Sequence, residues 1–468
     1  MAKHTELALA GLVATGRKLA AGELSSVALT EAMLERIGEL DGVLHSYATM
    51  MADQALAEAK QAESELAAGN SRGALHGVPI AVKDLCDATG VPTMAGFPGF
   101  EDRVARSDST VVRRLRDAGA VLLGKLQLTE GAFALHHPDV VAPVNPWGAE
   151  LWSGASSSGS GAATAAGLCF GSLGSDTGGS IRFPCYANHL IGLKPTWGRV
   201  SRHGVFPLSD TLDHVGPMTR RVEDAAAMLG AIAGRDELDP TSLPGAVPDY
   251  LASIDDGVAG LRIGYDERYC SEGIDTQVFQ AITRGLDLLK GRGASVVPVT
   301  LPDTREAVAH WGALCAVEAA LAHGPTYPER KRDYSVGYAE FLDGGLALSG
   351  VDYARATIVR HEFSGAMAAL FASVDLYIAP IMRKPVPTAA EFVALCAEPD
   401  GVPRIVQYTS PEDLTGCPAL ILPGGLDASG APVGFQLVGR HLEEGRLFQA
   451  GKAYQADADW PALAPLAA

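Results

Sequence analysis

The stretch GVPIAVKDL, residues 77–85, is an almost unbroken apolar run that ends on a lysine and an aspartate. A run so short and so continuous fits a strand buried on both faces, and such strands belong to parallel sheets covered by helices. The surrounding sequence agrees. LTEAMLERIGEL (29–40) and ADQALAEAKQAESELAAG (52–69) space their apolar residues as helices do, and Gly69-Asn70 supplies a C-cap to the second. STVVRRLRDAGAVLLGK (109–125) reads as helix, glycine turn and strand, while ALILPGG (419–425) and APVGFQLVG (431–439) read as strands near the C-terminus. The predicted fold class is α/β: a single large domain with a central mixed β-sheet covered by helices on both sides. Within it, residues 1–70 read as N-terminal helices and about 71–235 as a core dense in motifs. Residues from about 236 to 400 read as a variable, insert-like region, and 401–468 as strands and a helix that rejoin the core.

Composition removes several function classes. A formal net charge of −18 argues against a nucleic-acid or anionic-membrane surface, so neither is expected as a partner. The basic cluster Arg330-Lys331-Arg332 is flanked by Glu329 and Asp333 and reads as a solvated turn. Cysteines 86, 169, 185, 270, 315, 396 and 417 are scattered, odd in number and form no CxxC, which suits buried thiols in a reducing cytoplasm. No run approaches a membrane span. The N-terminal MAKHTELALAGLVATGRKL is interrupted by Glu6 and continues as an amphipathic helix, so it is read as structure and not as a signal peptide.

Several motif fragments lack the residue their chemistry requires. GAVLLGKL (119–126) fits the GxxxxGK half of a phosphate loop, but Leu126 stands where the metal-binding Ser or Thr belongs. His361-Glu362 begins like HExxH, and Gly365 occupies the second histidine position. His136-His137 precedes a proline without spaced partners. No metal and no organic cofactor is expected.

Three segments remain. GASSSGSGAATAAG (154–167) crowds four serines into its first eight positions before turning into an alanine-rich helix former, and GSDTGGSIR (174–182) follows closely. A serine hydroxyl is a poor nucleophile and needs a base within hydrogen-bond reach. Lysine serves only when neutral, and Lys83, at the end of an apolar strand, is where desolvation can lower its pKa. Lowering it by about three units costs roughly 4 kcal/mol, which a merely structural lysine does not require. The small residues Thr177, Gly178, Gly179 and Ser180 let backbone N–H groups turn together toward one point, as an oxyanion hole does, before a helix that starts near Ile181. By themselves, such loops fit a phosphate cradle or a plain tight turn as well.

The ordered set GVPIAVKD, GASSSG, GSDTGGSIRFP, GLKPTWGRVSRHG and SDTLDHVGPMTR resembles the amidase signature family, and PVGFQL at 432–437 extends the resemblance over nearly the whole chain. The resemblance implies that Ser180 is the nucleophile, Ser156 a bridging serine held in a cis peptide, and Lys83 the terminal base. It also maps the oxyanion hole onto the amides of Thr177, Gly178, Gly179 and Ser180. Ser156 lies 24 positions before Ser180, the family's usual offset, although Ser157 keeps the register of the serine run open. Asp176 and Arg182 bracket the nucleophile and are read as holding its loop.

The chain departs from the family at two places. The usual GGSSGG is here GASSSG, with Ala155 and Ser158 replacing glycines, and residues 127–146 fit the family pattern poorly. What the resemblance implies is an amidase: a hydrolase of carbon–nitrogen bonds in linear amides, working through a serine acyl-enzyme, with a small-molecule amide or carbamate as substrate and a homodimer as the common assembly. Ester cleavage shares the same carbonyl chemistry. The apolar residues of 127–152 (Phe133, Leu135, Val140, Val141, Trp147, Trp152) fit either an aryl or hydrophobic substrate or packing beneath the loop. The alternative function is the amide-hydrolysing component of a glutamine-dependent aminoacyl-tRNA amidotransferase, since TSPEDLTGCPALILP (409–423) matches a segment of those proteins. They usually carry an aspartate three positions before that threonine, where this chain has Val406.

Overall fold

The computed structural model describes residues 5–458. Among them, one mixed sheet of eleven strands runs through the molecule. In chain order these are β1 (Tyr47–Met50), β2 (Pro79–Lys83), β3 (Val121–Leu126), β4 (Gly171–Asp176), β5 (Ile191–Lys194), β6 (His214–Thr219), β7 (Arg262–Tyr265), β8 (Ser295–Pro298), β9 (Leu376–Ala379), β10 (Ala419–Leu426) and β11 (Pro432–Gly439). Their spatial order is β1-β3-β2-β4-β6-β5-β10-β11-β9-β7-β8. β2 lies between β3 and β4 and runs parallel to both, every residue buried, as its continuous apolar run requires.

Alternation along the later strands splits the interior into two cores. Leu420 and Leu422 of β10, with Leu376 and Ile378 of β9, face a core that helices Ser26–Leu44, Val222–Ile232, Thr276–Gly291 and Glu444–Gln455 cover. Ala419, Ile421, Tyr377 and Ala379 face the other core, with Phe183, Trp311 and Phe392 from helices Arg182–Ala187, Arg305–Ala322 and Ala389–Cys396. Helices therefore flank the sheet on both sides, as the pattern of buried strands predicts. Local signals start them: Ser25 and Ser109 accept hydrogen bonds from the amides of Ala28 and Val112 at two N-caps.

Two features differ from the sequence reading. β1 interrupts the N-terminal helices; it is a half-exposed edge strand of four residues with no apolar alternation to announce it. The region 236–400 supplies β7, β8 and β9, one entire end of the sheet. Lys125 of the GxxxxGK fragment sits inside β3, fully buried, with its ammonium 2.7 Å from Asp84. Among the described residues no helix is long and apolar enough to cross a membrane. What the fold does for function is to gather the carboxyl ends of the parallel strands β2, β3 and β4, the place where α/β sheets bind ligands.

Candidate active site

Lys83 closes β2 and is only 1 % exposed. Its ammonium donates to Ser156 Oγ at 2.6 Å and to Ser175 Oγ at 2.9 Å. Burial lowers its pKa to about 7 against the opposing attraction of Asp213 and Asp176. Ser175 comes from β4, where Thr177, just past the strand, also donates to Asp213 at 2.5 Å. Burial raises the Asp213 carboxyl to about 6.

Ser156 reaches the lysine from the loop before helix Ser158–Ala165. Gly154 enters that loop at φ +85°, and a Cβ there would sit 2.3 Å from the backbone of Pro184. The Ala155–Ser156 peptide bond is cis. Ser157 turns the other way: its hydroxyl donates to the Ser175 carbonyl and accepts from the Ser175 amide, both at 3.3 Å. Its amide donates to the Ser180 carbonyl at 3.3 Å, tying the two serine loops together. Ser158, one of the departures from the family pattern, is within 3.0 Å of His136 Nε2, which comes from the other departing segment. The two departures are thus one contact.

Ser180 is partly exposed and lines a cleft, and its hydroxyl makes no hydrogen bond among the described residues. Of the four amides read as oxyanion donors, that of Gly179 is engaged elsewhere: it donates to Asp176 Oδ1 at 2.6 Å, because the carboxylate lies directly beneath the turn. The amides of Thr177, Gly178 and Ser180 make no hydrogen bond among the described residues. Two distant side chains hold the carbonyls of this loop. Trp311 Nε1 donates to the Thr177 carbonyl at 2.9 Å, and Thr409 Oγ1 donates to that of Gly178 at 2.5 Å.

Beneath the loop lies a buried ionic cluster. Arg182 contacts Asp176 at 3.0 Å, Glu412 at 2.9 Å and Asp413 at 2.6 Å, and also donates to Gln436 at 3.1 Å. For Asp176, burial favours the neutral acid, but the Arg182 charge outweighs it and holds the carboxyl well below the usual range. Asp413 is pushed up by burial and by the Asp176 charge. His214 packs beside them, 3.2 Å from the Asp176 carbonyl and 3.1 Å from the Lys194 ammonium. Replacing Arg182 by methionine strands three carboxyls in the interior. We expect it to cost about 3–5 kcal/mol of unfolding free energy in a denaturant titration; a loss below about 1 kcal/mol would show that the cluster is not what holds the loop.

The cleft encloses about 430 Å³ and is walled by Phe133, Phe183, Leu208, Trp311, Phe392, Val402, Ile405 and Val406, with Thr177 and Ser180 at its polar end. Of the apolar residues in 127–152, Phe133 faces this cleft. Trp152 stacks on Phe392 at 3.9 Å, Trp147 bonds the Asn188 carbonyl, and Val141 is exposed. Both readings of that segment therefore apply, to different residues. Cys169 and Cys185 are buried with raised thiol pKa values, and His361 lies exposed on helix Gly350–Leu370. Among the described residues no group of His, Cys, Asp and Glu is arranged to hold a metal ion. Sequence reasoning missed Ser175, Trp311, Thr409, Glu412 and Asp413. Of these, only Ser175 carried a local signal, since it sits within the Ser-Gly loop motif itself.

This arrangement can be set beside known proteins. A family model described as "Amidase" matches residues 28–448. The "Putative amidase AmiD" of Mycobacterium tuberculosis (strain ATCC 25618 / H37Rv) is 44 % identical over 92 % of this chain and 91 % of its own length. The GatA-type component of the glutamyl-tRNA(Gln) amidotransferase of Geobacter sp. (strain M21) is 36 % identical over 95 % of this chain and 96 % of its own. The crystal structure of the native peptide amidase from Stenotrophomonas maltophilia superposes with a TM-score of 0.83 at 31 % identity, covering 97 % of each chain. With an α/β sheet of this order, a serine-lysine pair at the ends of its parallel strands and these relatives, the chain belongs to the amidase signature family.

Proposed function

We propose that this amidase-family hydrolase of carbon–nitrogen bonds acts by itself on linear amides bearing an apolar or aryl group, with carbamates and esters as chemically allied substrates. The observation that carries this reading is the cleft at Ser180, whose walls are apolar and hold no charged side chain. Such a cleft favours a hydrophobic group by about 25 cal/mol for each Å² it buries, and offers nothing to a free carboxylate or ammonium.

In the proposed mechanism, neutral Lys83 accepts the proton of Ser156 while Ser156 takes that of Ser180, whose oxygen attacks the carbonyl carbon. The oxyanion is met by free amides of the 177–180 turn, those of Gly178 and Ser180 being the nearest in sequence to the nucleophile. The relay then runs in reverse. Lysine returns the proton through Ser156 to the leaving nitrogen, the C–N bond breaks, and water attacks the acyl-enzyme by the same route. Seven unpaired thiols support a reducing cytoplasm as its compartment.

The test is amine release by purified protein from one panel: primary amides, anilides, aryl carbamates and glutamine, with Ser180→Ala as the blank. Anilide or carbamate turnover absent from the blank is the expected result. Activity on glutamine alone would favour the competing reading, the glutamine-hydrolysing component of a tRNA-dependent amidotransferase, which the relatives of that name support. Val406 speaks against it, because this cleft residue stands where those proteins usually carry an aspartate. Val406→Asp is expected to lower kcat/KM for an apolar anilide about tenfold or more, by placing an unpaired carboxylate in the cleft, without creating glutaminase activity. A gain of glutaminase activity in that variant would reverse the preference.

A further inference from the structure

We infer that Trp311 is a positioning residue of the acyl-transfer step. It aligns the Gly178 amide toward the oxyanion, and because it also bears the substrate's apolar group, filling the cleft steadies that alignment. The inference rests on the hydrolytic reading of the site proposed above.

Trp311 projects from helix Arg305–Ala322, far in sequence from every serine-glycine motif. Its Nε1 donates to the Thr177 carbonyl at 2.9 Å. The Thr177–Gly178 peptide unit is planar and trans, so its N–H points opposite to its carbonyl. Holding the carbonyl therefore aims the Gly178 amide, which has no other partner among the described residues. The indole also lies flat against the turn: a Cβ built on Gly178 would fall 2.6 Å from Trp311 Cζ2. That is why the position must be glycine.

The next peptide unit is fixed by different means. Thr409 holds the Gly178 carbonyl and Asp176 takes the Gly179 amide, and neither side chain lines the cleft. Trp311 alone among these three anchors also forms the cleft wall, beside Ser180. A bulky apolar group resting on the indole limits its tilt and so keeps the Nε1 bond in line. A small substrate such as acetanilide's acetyl group leaves the indole freer. Binding energy from a remote part of the substrate then appears in kcat and not only in KM.

The experiment combines a substrate series with one conservative variant. In the unmodified protein, lengthening the acyl group from acetyl to a bulky aryl-acyl anilide is expected to raise kcat about tenfold or more. Trp311→Phe keeps an aromatic wall but removes the N–H. It is expected to lower kcat for the bulky anilide about 10–100-fold with KM changed less than about threefold. The Ki of a trifluoromethyl ketone, which binds as an oxyanion mimic, should rise by the same factor, while that of the product acid stays put. Thr409→Val should raise the same Ki and Thr409→Ser should restore it, which tests the loop's anchoring independently of the indole.

A substrate series that moves KM alone overturns the inference whether or not Trp311→Phe folds. So does a folded Trp311→Phe that retains kcat. In both cases the hydrolytic reading survives, because turnover persists. No turnover of any amide by the unmodified protein is the separate outcome that removes that reading, and the inference with it.

Discussion

Replacing Ser180 by alanine is expected to lower kcat for any accepted amide by about 10⁴-fold or more, with an unchanged melting temperature. The magnitude follows from its position. Its hydroxyl faces the cleft without a hydrogen bond among the described residues, so the fold does not depend on it, whereas acyl transfer as proposed has no other nucleophile there. The neighbouring serines divide the proposal more finely. Ser156→Ala removes the hydroxyl 2.6 Å from Lys83 and should cost nearly as much. Ser157→Ala removes only contacts with the Ser175 backbone and should leave kcat within about tenfold while lowering stability by about 1 kcal/mol. Equal losses in Ser156→Ala and Ser157→Ala would count against Ser156 as the bridge.

The second large effect belongs to Lys83. Lys83→Met should lower kcat/KM by about 10³-fold or more, the scale of a lost general base. In the unmodified enzyme the base is competent only when neutral. With a folded pKa of about 7, kcat/KM should rise with pH through neutrality and level off above about 8. The groups facing the ammonium are the Ser156 and Ser175 hydroxyls and, electrostatically, Asp213, Asp176 and Cys86. Asp213, titrating near 6, loses its negative charge on the acid side and weakens the hold on the ammonium there.

Stability should move oppositely to activity. Above the unfolded lysine's pKa of about 10.5 both states are neutral and the shift costs nothing. As pH falls from there to about 7 the unfolded chain binds the proton first, so folding is progressively penalised, and below about 7 the penalty is constant. Lys83→Met should therefore stabilise the fold at pH 8, by about 1–3 kcal/mol in urea titrations. A variant that is inactive and also less stable at that pH would mean the lysine is a structural cation, charged throughout.

The parts of this site that were legible in the sequence are those whose physics is local. The apolar run ending on Lys83 announced both a doubly buried strand and a desolvated lysine, and the small residues of 154–161 and 177–180 announced tight backbone. Ser156 and Ser157 were ambiguous because adjacent residues differ only in which way they point. The chain's path through Gly154 decides that, and composition does not. Trp311, Thr409, Glu412 and Asp413 were not legible at all. They meet the nucleophile's loop from more than 130 residues away, on helices whose own spacing reports only that one face is buried. The Gly179 amide was misread for a related reason: four consecutive small residues show that amides can converge, but not that Asp176 beneath them claims one. β1 escaped notice because a short, half-exposed edge strand leaves no apolar period to read.

The strand order carries one consequence for how such a chain is made. Without β10 and β11, the sheet is two pieces: β1-β3-β2-β4-β6-β5 on one side and β9-β7-β8 on the other. The hairpin of residues 419–439 is the clasp between them, and the Arg182 cluster is completed by Glu412, Asp413 and Gln436 from the same late stretch. A ribosome that has delivered the nucleophile, its bridge and its base has therefore not yet delivered a catalyst. The loop around Ser180 acquires its counter-ions only when the last tenth or so of the polypeptide arrives. Until then two open sheet edges wait for partners, and this is the interval in which the nascent protein is most exposed to mispairing with its neighbours.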